Sequence, residues 1–348
     1  MQPDFSLISK YNQAIPRYTS YPPATSFHNG YTGNDFLRSV ETSNHQSPNA
    51  ISLYLHIPFC PKLCLYCGCT TLISKKEDLI ESYLDALIRE IDLVSQRLDL
   101  TRPVTQIHWG GGTPNALTVA QIDRIMDHLR KTFNIGNETE IAIECNPAHL
   151  TEVYVNALMK MGFNRISLGI QDFNRDVLKN VHREPSLLPV QTLVDLIRQQ
   201  NGKVNFDFIY GLPGQTEASF SDTIYQALQL KPDRLVTFAY AHVPWVKPHQ
   251  TTLEKIGLPT PEEKLAMFGE ASRIMSEEGG YTVIGLDHFA LSDDELSLAL
   301  KNGTLHRNFQ GYCTRETTGQ VYAFGMSAIS QMQEAYAQNH KDIKTYIT

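Results

Sequence analysis

No run of about 18 or more apolar residues occurs in this chain, which excludes a membrane-spanning helix of ordinary length. The opening Met1-Gln2-Pro3-Asp4 lacks the charged-then-apolar layout of a secretory signal, so the expected location is the cytoplasm. Positive charge is short as well: 30 Lys and Arg against 37 Asp and Glu leave a formal net charge of −7. That balance gives no general attraction for nucleic acid or an anionic membrane, so an acidic ligand must be held by a local cluster of Arg, Lys or His. Repeats of fixed period and low-complexity tracts are also absent. Cysteine is sparse outside one stretch: Cys60, Cys64, Cys67 and Cys69 crowd together, while Cys145 and Cys313 stand alone. In a reducing compartment such crowding argues for metal ligation rather than disulfides, and the isolated pair reads as buried thiols.

With 348 residues, 42% of them hydrophobic, the chain can bury one large core. From about residue 50 to about 240, short β-rich runs alternate with amphipathic helical runs, the pattern of βα units around a parallel sheet. The predicted strands are Ile51–Ile57, Val104–Trp109, Glu140–Cys145, Arg165–Ile170, Val204–Ile209 and Arg234–Phe238. A helix is expected over Asp78–Leu98, with Ile80, Tyr83, Leu84, Leu87, Ile88, Ile91 and Val94 on one stripe. Thr118 and Gln121 spell a capping box, as do Thr260 and Glu263 around Pro261, and Gly279-Gly280 closes that later helix. Six βα units predict an incomplete (β/α)6 barrel of the TIM type over residues 49–250. It is preceded by a loop-like arm (1–48), too aromatic at Pro16–Pro22 for a disordered tail, and followed by a barrel-completing extension (251–348).

Strand parity predicts which residues enter the lumen. On the first strand Ile51, Leu53, Leu55 and Ile57 share one face and pack outward on helices, leaving Ser52, Tyr54 and His56 inside. The same test puts Glu144, then Arg165, Ser167 and Gln171, then Asp207, on the inner face of the next strands. Tyr54, Glu144, Gln171 and Asp207 therefore aim into one cavity near the C-terminal strand ends, where parallel α/β folds bind ligands. A lumen merely filled by mutually satisfied polar groups is the plainer alternative. Buried carboxylates are costly unless paired, and their number favours a ligand.

Directly after the first strand comes Cys60-Pro61-Lys62-Leu63-Cys64-Leu65-Tyr66-Cys67, a Cys-x3-Cys-x2-Cys loop. Three thiolates can hold three irons of a [4Fe–4S] cluster and leave the fourth open, where S-adenosylmethionine (SAM) can chelate through its amino and carboxylate groups. A structural zinc site is the alternative, with Cys69 as a fourth ligand, although no second Cys-x2-Cys pair is present. After the second strand stands Gly110-Gly111-Gly112-Thr113-Pro114, whose bare backbone lets a ligand's amino group reach carbonyls and whose proline stiffens the exit. Alone, the glycine run would equally be an ordinary tight turn.

Taken together these motifs resemble the radical SAM superfamily and, within it, the oxygen-independent coproporphyrinogen III oxidases. The likeness is carried by segments such as Tyr54–Cys69, His108–Pro114, Gly169–Asn174, Asp207–Pro213, Gly285–Ala290 and His306–Tyr312. The resemblance implies that Cys60, Cys64 and Cys67 bind the cluster. It implies a first SAM held by Tyr54, Gly111, Glu144, Gln171, Arg183 and Asp207, and a second held by Tyr66, Gly112, Thr113, Ala241 and Ile329. Tyr66 departs from the expected phenylalanine but keeps the ring. The implied reaction turns two propionates of coproporphyrinogen III into vinyl groups, giving protoporphyrinogen IX. Arg17, Arg183, His306 or Arg307 are candidates to hold substrate carboxylates, with surface ion pairing the alternative for Arg17 and Arg307.

As partners the resemblance implies the porphyrinogen and an electron donor such as flavodoxin or ferredoxin, with a monomer expected. Members of that family continue into a C-terminal helical domain that helps close the active site, and this sequence is expected to lack it, ending at Tyr346-Ile347-Thr348 as a fragment or a shortened form. Without that domain the cavity is expected to be open and SAM cleavage uncoupled. A haem-binding chaperone of the same superfamily is the competing reading, but such relatives have Phe in place of Cys69 and lack the Pro16–Pro22 arm. An inactive family member is the third.

Overall fold

The computed structural model describes Lys10 and residues 23–308, 311–314 and 320–348. Six parallel strands form its centre: β1 (Ile51–Ile57), β2 (Pro103–Gly111), β3 (Asn134–Cys145), β4 (Arg165–Gln171), β5 (Lys203–Tyr210) and β6 (Arg234–Ala239). All six coincide with the predicted runs and lie side by side in chain order. Each is followed by helix, among them α1 (Glu77–Ser95), α2 (Val119–Thr132), α3 (Glu152–Lys160), α4 (Val190–Arg198), α5 (Glu217–Leu230) and α6 (Pro261–Arg273).

The alternation of β1 explains its place. Ile51, Leu53, Leu55 and Ile57 are buried in the main core with Tyr83, Leu84, Leu87 and Ile91 of α1. Each such side chain contributes about 1.5–3 kcal/mol on burial. The Thr118/Gln121 and Thr260/Glu263 capping boxes both form, each satisfying backbone donors at a helix start.

The extension after residue 250 supplies five of the eleven strands and lengthens the sheet at both edges. On one side β7 (Thr282–Gly285) and β8 (His288–Ala290) form an antiparallel pair, with β8 against β6. On the other, β9 (Gln320–Phe324) lies parallel to β1 and is followed by antiparallel β10 (Ile329–Met332) and β11 (Tyr336–Gln338).

The arm before residue 49 is not wholly loop-like. Residues Gly33–Ser43 form a helix, started by a Thr32/Asp35 capping box that its polar composition disguises; only Val40 and Ser43 of it are buried. The Pro16–Pro22 segment lies outside the described residues. No helix among them is long and apolar enough to cross a membrane.

Candidate active site

The lumen-facing sides of β2 to β6 and β8, with the cysteine loop and the glycine turn, enclose a cavity of about 430 Å3. Glu144, Gln171 and Asp207 line it as strand parity requires, and so do Arg183, Gly111 and all three loop cysteines. Tyr54 stands behind that lining: its ring stacks on His108 at 5.9 Å and 11°, and its hydroxyl donates to His56 Nδ1 at 3.3 Å. His56 Nε2 in turn donates to the Thr70 carbonyl at 3.0 Å, tying β1 to the far end of the cysteine loop.

The glycines are needed first for packing. A Cβ on Gly112 would stand 2.5 Å from the Pro58 carbonyl oxygen, and one on Gly110 would meet Glu144 Oε1 and the Tyr54 hydroxyl at about 3 Å. The bare turn lets two peptides clamp the cysteine loop, Gly112 N donating to Ile57 O (2.8 Å) and Thr113 N to Phe59 O (3.0 Å). From the other side, Gln250 Nε2 donates to the Tyr66 carbonyl (2.9 Å), His249 Nε2 to that of Cys67 (3.0 Å) and Lys247 Nζ to that of Cys69 (2.6 Å). Within the loop, Cys60 Sγ sits 3.2 Å from Thr113 Oγ1, and burial pushes its thiol up to about 11. A hydrogen bond from the Cys69 thiol holds Cys67 below the ordinary thiol range, favouring the thiolate that metals bind. Cys145 and Cys313 are buried, as expected of lone thiols.

Beyond the loop, Arg183 donates to the Gly169 carbonyl and, from Nη1, to Cys64 Sγ at 3.8 Å, yet its Nε is buried without a partner. Gln171 Oε1 is likewise buried and unpaired, on a residue held in the left-handed region (φ 69°) where the β4–β5 register shifts. Such strain costs about 1–3 kcal/mol and commonly marks functional sites. Asp207 accepts from Ser167 Oγ at 2.8 Å, and burial raises its carboxyl to about 7. Although burial opposes it, the Glu144 contact at 3.0 Å raises the His108 imidazole above its ordinary value.

These residues fit the groups that the motifs imply. Three thiols at one mouth of the cavity supply soft ligands for iron. An unpaired buried acceptor, an unpaired guanidinium donor and two carboxylates suit a ligand that carries an ammonium, a carboxylate and hydroxyls. Among the described residues no three His, Cys, Asp or Glu side chains gather tightly enough for a single metal ion. A cluster asks something different, since each thiolate then binds its own iron.

Of the remaining sequence candidates, Tyr66, Gly112 and Thr113 line the cavity. Ala241 is exposed and joins them through Gln250 Nε2, which also donates to its carbonyl at 3.2 Å. Ile329 is buried on β10, away from the lining. His306 and Arg307 lie on a hairpin strand beside the cavity, Arg307 over the Tyr312 ring at 5.4 Å. Arg17 lies outside the described residues.

Sequence reasoning missed His108, Glu140 and His288. The parity test, applied to β2, would have turned Gln106 and His108 inward. At the cavity floor, Arg165 bonds Glu140 (2.8 Å) and Glu295 (2.8 Å), and Arg234 bonds Asp294 (2.8 Å) and Glu295 (2.9 Å). Burial opposes it, but Arg165 and Arg234 hold the Glu140 carboxyl well below the carboxylate range.

A three-cysteine loop after the first strand, a glycine turn after the second and a polar lumen with unpaired buried groups define a radical SAM protein, and the radical SAM superfamily profile matches residues 54–226. Within that class the chain belongs to the oxygen-independent coproporphyrinogen III oxidase family. It is 45% identical to the Synechocystis sp. protein of that name, over 98% of this chain and 72% of that one. The Escherichia coli protein is 42% identical over 99% and 74%. The solved coproporphyrinogen III oxidase (HemN) from Escherichia coli, described as a radical SAM enzyme, superposes with a TM-score of 0.90 at 41% identity. That match covers 99% of this chain and 76% of that structure.

Proposed function

We propose that this chain catalyses the oxygen-independent oxidative decarboxylation of two propionate side chains of coproporphyrinogen III, giving protoporphyrinogen IX in haem biosynthesis. Membership of the family supports the reaction, and the observation that carries it to this chain is the cavity in which the cysteine loop faces Gln171, Arg183, Glu144 and Asp207. Cys60, Cys64 and Cys67 would bind a [4Fe–4S] cluster, and Tyr54, Gly111, Glu144, Gln171, Arg183 and Asp207 one SAM. When bound, these groups would supply reductive cleavage of SAM and, through it, removal of a hydrogen atom from a propionate β-carbon, with carbon dioxide leaving and one electron passing to an acceptor.

The protein's own part is placement. The Gln171 acceptor and the Arg183 donor, unpaired within the chain, offer directional bonds to the cofactor's amino-acid end. His108 keeps Glu144 in one orientation, and Tyr54, packed on His108, keeps that pair in place. A second SAM is assigned to Tyr66, Gly112 and Thr113, with Ala241 tied in through Gln250. Residues 49–250 with their extension form one catalytic unit. The enzyme is a monomer in the cytoplasm, and a reduced flavodoxin or ferredoxin is its electron donor.

Anaerobic reconstitution with iron and sulfide, followed by assays for 5′-deoxyadenosine, protoporphyrinogen and haem binding, tests this. Reductant-dependent formation of the first two is expected. Zinc in anaerobically purified protein, or a loaded cluster that never cleaves SAM, would overturn the reading, and stoichiometric haem capture without turnover would replace it with a haem-binding role.

A further inference from the structure

One built feature of the cavity, on β8, takes no part in the cofactor sites. His288 of β8 lines the cavity, and its Nδ1 donates to Asp287 Oδ1 at 2.8 Å. The ring is held edge-on by Tyr312 (4.9 Å, 73°) and Phe238 (6.2 Å, 89°). Nε2 is turned toward Gly311, itself part of the lining. A carboxylate behind one nitrogen and aromatic walls on the ring are the arrangement that fixes an imidazole so that the other nitrogen meets a ligand.

Sheet register sets its height. Gly169 pairs with Asp207, Asp207 with Val236, and Val236 with His288, so all four stand in one row across β4, β5, β6 and β8. Two strand spacings separate Asp207 from His288, roughly 10 Å. One end of the row, at Arg183, Gly169 and Asp207, belongs to the cofactor site, and His288 stands at the other.

Three other strand-borne groups of the lining, Arg165, Arg234 and His108, are committed. Arg165 and Arg234 are paired with Glu140, Asp294 and Glu295, and His108 with Glu144. A tetracarboxylate ligand entering this cavity must nevertheless find donors for groups remote from the reacting side chain, because a desolvated carboxylate without a partner is costly.

We propose that His288, oriented by Asp287, binds a carboxylate of a porphyrinogen side chain other than the one being decarboxylated; this rests on the functional reading given above. Nδ1 stays bonded to Asp287, and Nε2 is the ring atom that meets the substrate carboxylate. The row then acts as a ruler: the cofactor end fixes the reacting position, and His288 fixes how the macrocycle is turned beneath it.

The test uses the anaerobically reconstituted full chain, with coproporphyrin III fluorescence for macrocycle binding and equilibrium dialysis for SAM. In His288→Leu, coproporphyrin III affinity and the KM for coproporphyrinogen III are expected to worsen about tenfold or more, with SAM affinity unchanged. His288→Gln, which keeps a donor, recovers part of the loss, and Asp287→Asn falls between wild type and His288→Leu. Macrocycle affinity unchanged in His288→Leu overturns the inference, and so does a parallel loss of SAM affinity in all three variants, since the pair would then only support the fold. Wild-type protein that neither binds coproporphyrin III nor converts the porphyrinogen overturns the functional reading instead, and the inference with it.

Discussion

The two ends of one lumen treat charge in opposite ways. At the floor, Arg165, Arg234, Glu140, Asp294 and Glu295 satisfy one another, and Arg165 and Asp294 are 2% exposed. At the mouth, Gln171 Oε1 and Arg183 Nε are buried without partners, while Glu144 keeps 43% of its side chain open to the cavity. Both ends are polar, so composition does not distinguish them. The distinction lies in whether the protein completes its own hydrogen bonds: a completed network ties the strands together, and an incomplete one marks the place kept for a ligand.

The comparison breaks most sharply at the mouth's metal ligands. Cys64→Ala is expected to abolish the cluster's visible absorbance and all 5′-deoxyadenosine formation, while thermal unfolding of the metal-free protein changes little. At the floor the pattern inverts. Arg165→Ala removes the cation shared by Glu140, Asp294 and Glu295, leaving Arg234 as their remaining guanidinium, and should cost about 3–5 kcal/mol of stability, measured by urea unfolding.

Between these lies a pH effect at Asp207. Its folded carboxyl titrates at about 7 against an ordinary 3.8, because burial disfavours the anion. A raised carboxyl contributes stability that is fully present below about 3.8 and is lost as pH rises toward 7. Asp207→Asn should therefore gain melting temperature relative to wild type as pH is raised from 4 to 8, and a constant difference would refute the assignment. The smallest effect is at Gln171. Truncation to Ala removes an acceptor with no internal partner, so SAM affinity is expected to fall about tenfold, by equilibrium dialysis, with folding stability nearly unchanged. A large loss of stability there would erase the contrast between the two ends.

The centre of the fold was legible because β1 and β4 to β6 alternate or run apolar between clear breaks, and because α2 and α6 announce their starts with capping boxes. β9 was not, since all five of its residues, Gln320 to Phe324, are buried and no period of two survives. The helix at Gly33–Ser43 was hidden by a polar surface. In the site, cysteine spacing and strand parity led to the residues at the mouth. Of the floor, parity turned only Arg165 inward; the rest escaped because its five charges come from three strands and a helix start, and only the folded sheet brings Glu140 beside Arg234 and Asp294. His288 escaped for a related reason, its relevance arising from an antiparallel pairing with Val236 that no local pattern encodes.

Gln250 imposes an order of assembly. It is fully buried, and its side-chain amide grips the carbonyl of Tyr66, 184 residues earlier in the chain, while its Oε1 accepts from Val243 N at 2.7 Å. That bond to the cysteine loop can therefore form only once synthesis has passed residue 250. A nascent chain stalled before that point would hold the loop through Gly112 and Thr113, without the grip of Gln250.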